Sequence, residues 1–154
     1  NSLSKTYSIP GIRVGWVASN TEVADILRDY RDYTMICAGV FDDMVATLVL
    51  ENKEAILERN RQIVEENLAL MDAWIAKEPK ASWIRPASVS TSFVKLDVNR
   101  PIEDFALELL QDYGVLVVPG NRFDKESHVR IGYCCDKEVL QKGLEKLSQF
   151  LNKC

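Results

Sequence analysis

This chain has a single histidine, and its four cysteines contain no Cys-x-x-Cys pair. A zinc site needs clustered thiolate or imidazole ligands, so no metal site is expected and no residue is assigned to one. Clusters of lysine and arginine are also missing. The formal charge is −4, and a mildly acidic chain without a basic patch argues against nucleic acid as the main partner. Long hydrophobic runs are absent: stretches such as Val115 to Val118 are strand-sized, and none spans a membrane. The first residues are polar and include Lys5, which does not match a signal peptide. There are no internal repeats and no low-complexity linker.

Cys37, Cys134, Cys135 and Cys154 therefore read as reduced core or surface thiols of a cytoplasmic protein, with adjacent Cys134 and Cys135 pointing to opposite faces of a strand. What remains is an ordinary globular composition, 47% apolar and 27% charged. A chain of 154 residues can form one well-cored domain, or a small domain plus part of another.

Arg13 to Ala18 alternates and is rich in valine and tryptophan, which predicts a buried strand. Asn20 or Thr21 caps a helix whose apolar face is Val23, Ile26, Leu27 and Tyr30. Met35 to Val40 reads as a break, and Asp42 as the cap of a helix over Met44 to Leu50. A long helix is expected from about Lys53 to Lys77, with a Val64, Leu68, Met71 and Ile75 stripe and a stop at Glu78-Pro79. Shorter elements follow. Ser82 to Ile84 and Thr91 to Leu96 read as strands, and Pro101 to Asp112 as a helix ended by Gly114. Val115 to Val118 reads as a buried strand stopped by Pro119-Gly120, and Val129 to Tyr133 as a further strand. Asp136 caps a last helix with Val139, Leu140, Leu144, Leu147, Phe150 and Leu151 as its core face. From Ser82 the order is strand, strand, helix, strand, strand, helix, an α/β sandwich able to fold as a unit.

Two stretches carry chemistry. The first is Ser2-Leu3-Ser4-Lys5-Thr6-Tyr7-Ser8-Ile9-Pro10-Gly11-Ile12-Arg13-Val14-Gly15. An amine must be partly deprotonated to attack an aldehyde, and lysine adapts to that task more readily than arginine when desolvated or near positive charge. Arg13 could supply such charge, and its planar fork of donors suits a phosphate, as do the hydroxyls of Ser2 and Ser4. Gly11 and Gly15 leave room for close backbone approach, and Pro10 stiffens the turn. The bland alternative is a solvated Lys/Ser loop entering a strand.

The second is Val115-Leu116-Val117-Val118-Pro119-Gly120-Asn121-Arg122-Phe123 followed by His128-Val129-Arg130-Ile131-Gly132-Tyr133. Arg130 falls in an otherwise apolar strand, where an unpaired guanidinium is costly, so it is expected to face a ligand or a carboxylate such as Asp136. Arg122 is a candidate for recognising a substrate side chain. His128 lies at a strand entrance with no partner suggested by spacing, and the charged stretch from Glu51 to Glu66 reads as a solvated helix face.

The lysine stretch resembles that of class I/II aminotransferases, the fold-type-I enzymes that use pyridoxal 5'-phosphate (PLP). The resemblance is gapless over Ser2 to Gly15 and implies that Lys5 anchors the cofactor covalently while Ser2 and Arg13 hold its phosphate; the hydroxyl of Ser4 adds a further candidate for cofactor binding. It further implies that Arg130, in a V-R-[IL] strand, binds the α-carboxylate of the amino acid substrate. The implied fold is α/β, the C-terminal part of the fold-type-I PLP-dependent transferase fold. Residues 1–40 would be the tail of the large PLP-binding domain with its linking helix, 41–80 the long connecting helices, and 81–154 a small α/β sandwich domain. Since Asn1 directly precedes the phosphate-contacting serine and is not a methionine, the chain is expected to be part of a longer enzyme.

The implied partners are an amino acid and a 2-oxo acid, with a homodimer in the full-length protein. Family members acting on dicarboxylates use an extra arginine from the region matching Ala38 to Phe41; this chain has none there, which disfavours a dicarboxylic substrate. The Tyr30-Arg31-Asp32-Tyr33-Thr34 and Glu58-Arg59-Asn60-Arg61 segments resemble bacterial aminotransferases, including those related to capreomycidine synthase. The other cofactor contacts of the family lie upstream of the lysine, so the isolated chain is expected to be inactive. Three readings stay open: an aminotransferase, a decarboxylase or lyase of the same fold, and a non-catalytic small-molecule-binding domain.

Overall fold

A computed structural model describes residues 1–154, which divide into two compact units, Asn1–Arg61 and Gln62–Cys154. In the first unit the chain starts by pairing with itself. Leu3 N–H donates to the Val14 carbonyl at 3.1 Å and Trp16 N–H to the Asn1 carbonyl at 2.8 Å, around an isolated antiparallel bridge between Ser2 and Gly15. A Cβ on Gly15 would lie 2.7 Å from the Asn1 carbonyl oxygen, so the bridge needs glycine there. The expected buried strand over Arg13 to Ala18 thus reduces to this one bridge, and Val17 is 69% exposed. Alternation showed which residues could pair but not whether a second strand lay beside them.

Helix α1 spans Thr21–Thr34, capped by the Asn20 side chain, which accepts from Val23 N–H at 3.0 Å. Its predicted apolar face forms, but Val23, Ile26, Leu27 and Tyr30 are all exposed. Helix α2 spans Val40–Glu51 and starts earlier than expected: Gly39 is its N-cap, and Asp42 sits in the first turn, where a carboxylate favours the helix dipole. Fully buried Leu3 packs with Ala46 and Val49 of α2, and Tyr7, Ile9, Ile12 and Val14 surround them. Leu3 thereby pins the lysine segment onto a helix.

Helix α3 spans Lys53–Ile75, and its Leu68 and Met71 enter the core of the second unit with Val64 and Ile75 beside them, as the stripe predicted. There the strands β1 (Ala81–Trp83), β2 (Thr91–Leu96), β3 (Val118–Pro119) and β4 (His128–Gly132) form one antiparallel sheet in the order β1-β2-β4-β3. Helices α4 (Ile102–Tyr113) and α5 (Lys137–Leu151) complete the α/β arrangement. Gly114 ends α4 in the left-handed conformation, φ 66°, which glycine adopts without steric cost. Asp136 caps α5 through both Glu138 and Val139 N–H groups.

The core follows the two periodicities. Ser92, Val94 and Leu96 of β2 and Val129 and Ile131 of β4 point inward, against Phe105 and Leu109 of α4 and Leu144, Leu147 and Phe150 of α5. Two expectations fail. Val115 to Val118 is not a four-residue strand: β3 begins only at Val118, and Leu116 is 76% exposed. Val139 stands outside the core face of α5, 61% exposed, although its neighbours Leu140 and Leu144 are buried.

Candidate functional site

The bridge between Ser2 and Gly15 closes a loop over residues 4–13, with Lys5 exposed near one end and Arg13 near the other. Inside the loop Ile9 N–H donates to the Leu3 carbonyl and Ser8 N–H to the Lys5 carbonyl, both at 3.1 Å. Ser8 (φ 59°) and Arg13 (φ 51°) are both left-handed. For residues other than glycine this conformation costs roughly 1–2 kcal/mol each, and such strain collects where a chain is held in a working geometry. From the Asn60 side chain a hydrogen bond reaches the Thr6 carbonyl at 2.9 Å, tying the loop to the first turns of α3.

The donor set is complementary to an aldehyde that carries a phosphate. Lys5 is paired with no carboxylate, leaving its amine available. Ser2 Oγ accepts only a long contact, 3.4 Å, from Ser4 N–H, so its own hydroxyl proton is free to donate. Arg13 spends one N–H on the Pro10 carbonyl at 2.9 Å, which leaves further donors of its fork free. An amine, two hydroxyls and a guanidinium on one strained, bridged loop fit the PLP aldehyde and phosphate in kind.

Arg130 is built differently from the sequence expectation. On β4 it points away from the core, opposite Phe93 of β2 and Val118 of β3 in the register, and it is exposed. The cost of burying an unpaired charge therefore does not arise, and Asp136 is not its partner, since it makes no ion pair. Its neighbour is instead aromatic: the guanidinium carbon sits 5.3 Å above the Phe123 ring. A cavity of about 290 Å³ opens beside it, lined by Thr91, Ser92, Phe93, Phe123 and Arg130.

Phe123 and Phe93 are the site residues that sequence reasoning undervalued. The signal was present in the alternation of β2, which put Phe93 on the face opposite Val94, but only the register shows that this face is also Arg130's. Phe123 ends a short 3-10 turn over Gly120–Phe123. Buried Gly120 permits this turn, because a Cβ there would come within 2.3 Å of the Lys125 carbonyl and 2.6 Å of the His128 carbonyl. Arg122, the candidate for side-chain recognition, is ion-paired with Glu103 of α4, and Asn121 donates to the same carboxylate at 2.8 Å. Its charge is committed to holding the turn. His128 stacks on Phe93 and contacts the Glu126 carbonyl through Nδ1 at 2.9 Å.

One strained, bridged loop thus carries an amine, two hydroxyls and a guanidinium, and a sheet face carries a second guanidinium over an aromatic ring. The chain belongs to the family described as aminotransferase class I and II, whose model matches residues 1–147. It is similar to capreomycidine synthase from Streptomyces vinaceus, 30% identical over 97% of this chain and 39% of that protein. It is also similar to LL-diaminopimelate aminotransferase from Natranaerobius thermophilus, 29% identical over 99% of this chain and 40% of that protein. Among solved structures it matches a PLP-dependent aminotransferase from Streptococcus suis 89-1591, 68% identical with a TM-score of 0.97, over 99% of this chain and 41% of that one. The chain thus spans about 40% of the length of the relatives it matches. Its α/β fold is the C-terminal part of the aminotransferase fold.

Proposed function

We propose that this chain carries the cofactor lysine and the substrate-carboxylate arginine of a PLP-dependent aminotransferase that moves an amino group between an amino acid and a 2-oxo acid. The observation that carries the reading is the bridged loop holding Lys5, Ser2, Ser4 and Arg13, in a chain matched to the family from residue 1. PLP, when bound, supplies an aldehyde that captures amines and an electron-withdrawing ring that stabilises negative charge at the substrate Cα. Lys5 would supply the anchoring amine, take the proton from Cα of the donor amino acid and, in the return half of the transfer, deliver one to Cα of the new amino acid, steps made efficient by its fixed position. Ser2, Ser4 and Arg13 hold the phosphate. Arg130 binds the α-carboxylate by two parallel N–H···O bonds.

Residues 1–40 serve as the tail of the large cofactor domain, 41–80 as the connecting helices and 81–154 as the small domain. With about 40% of its relatives' length, the isolated chain lacks the rest of the cofactor cradle and is inactive alone. The full-length protein works as a homodimer, a reading supported by the exposed apolar face of α1. No helix is long and apolar enough to cross a membrane, and four free cysteines support a cytoplasmic setting. The absence of a second arginine near Ala38 to Phe41, and the engagement of Arg122 by Glu103, favour a substrate with one carboxylate.

A second reading is another PLP reaction on the same anchor, such as a decarboxylase or lyase activity, which Lys5 and Arg13 would serve equally. Product analysis on the full-length protein separates the two. A donor amino acid and a 2-oxo acid should yield a new amino acid and a new 2-oxo acid in equal amounts. Carbon dioxide, or ammonia released without an acceptor, would contradict the transfer reading.

A further inference from the structure

We propose that Phe123 is a positioning residue for Arg130, holding the guanidinium in the orientation that accepts a carboxylate. The proposal rests on the reading of Arg130 as the carboxylate-binding group. Arg130 has no ion pair and no hydrogen-bond acceptor of its own, so nothing polar fixes its orientation. Its one directional neighbour is the Phe123 ring, 5.3 Å below the guanidinium carbon. A guanidinium seated over a ring face keeps its in-plane N–H groups clear for bidentate binding, and less rotamer freedom is left to lose when a carboxylate arrives.

The ring is itself held from two sides. Phe93 packs edge-on against it, with centroids 5.8 Å apart and planes at 82°, and His128 stacks behind Phe93 at 4.9 Å and 19°. Below, the turn that ends in Phe123 is closed by Lys125 N–H donating to the Gly120 carbonyl at 3.0 Å and by Asp124 N–H donating to the Asn121 carbonyl at 3.3 Å. Glu103 of α4 clamps Asn121 and Arg122 of the same turn. A series of rings, His128, Phe93 and Phe123, thus transmits the rigidity of two paired strands to a side chain that is otherwise free. Phe93 and Phe123 form the apolar wall of the cavity that Arg130 also lines.

The test follows the Arg130 side chain by NMR while acetate is titrated into the chain, in the parent and in Phe123→Leu, Phe123→Tyr and Arg130→Leu. In the parent, Arg130 side-chain protons should be shifted upfield by the ring, and acetate should move the Arg130 Nε–Hε signal. Phe123→Leu should abolish the upfield shift and weaken acetate binding about 2- to 5-fold, the range expected from one exposed cation–π contact. Phe123→Tyr should restore both, and Arg130→Leu should remove the response. Unshifted Arg130 protons in the parent would overturn the proposal without any variant. Equal acetate affinity in the parent and Phe123→Leu would overturn the positioning role alone. An Arg130 signal in the parent that ignores acetate would overturn the carboxylate role and the positioning role with it.

Discussion

The side-chain amide of Asn67 donates to the backbone carbonyl of Tyr133 at 2.7 Å, fastening the long helix α3 to the chain just beyond β4, the strand that carries Arg130. The same nitrogen donates its second hydrogen to the Cys135 carbonyl at 2.8 Å. Asn67 is one of few buried polar residues, and both of its donors are used. Tyr133 is buried as well, with its hydroxyl bonded to the Val89 carbonyl, so the end of the strand is fixed on two sides.

Replacing Asn67 with leucine should therefore destabilise the fold by about 1–3 kcal/mol, because two carbonyls lose their partner inside a packed region. Urea unfolding should show a lowered midpoint with an unchanged slope. A midpoint equal to the parent's would mean that the two carbonyls are satisfied in another way.

At Arg13 stability and ligand binding should respond separately to substitution. Its left-handed backbone, φ 51°, is strained, and its bond to the Pro10 carbonyl is exposed and weak. Arg13→Gly relieves roughly 1–2 kcal/mol of strain but returns about 0.5–1 kcal/mol to the unfolded chain as entropy. Thermal unfolding should stay within about 1 kcal/mol of the parent, while retention of PLP by the full-length protein falls at least about tenfold through the lost charge-assisted phosphate bonds. A large loss of stability with normal PLP retention would make Arg13 a structural residue.

Partial burial of its thiol, and then the neighbouring Cys135, raise the pKa of Cys134 above the usual thiol value. The thiolate is the reactive form, so a raised pKa leaves less of it at any given pH. Cys134 should be alkylated by iodoacetamide more slowly at pH 8 than the same residue in an unfolded peptide of identical local sequence, and the gap should close as the pH rises. Peptide mass spectrometry over time measures both rates, and a faster Cys134 would refute the assignment.

Much of the second unit was legible in the sequence. β2 falls at Thr91–Leu96 as its alternation predicts, Gly114 ends α4, Asp136 caps α5, and the α3 stripe is core. These features are local: a period, a cap or a left-handed glycine is written in neighbouring residues. What was missed depends on partners distant in sequence. Val115 to Val118 has strand composition throughout, but only Val118 and Pro119 find a ladder on β4. Arg13 to Ala18 finds only Ser2. Arg130 needs no buried partner, because the strand's alternation turns it outward and its neighbour is a ring. The residue types of the Lys5 loop suggest chemistry, whereas its closing bridge and its two left-handed residues leave no signal in the sequence.

The central claim is that Lys5 is the covalent anchor of the cofactor. The most direct measurement is to incubate the full-length protein with PLP, reduce it with sodium borohydride, digest it and map the phosphopyridoxyl group by mass spectrometry. The account predicts one dominant label on the peptide containing Lys5, absent in Lys5→Ala. A label spread over other lysines, or undiminished in Lys5→Ala, would contradict it.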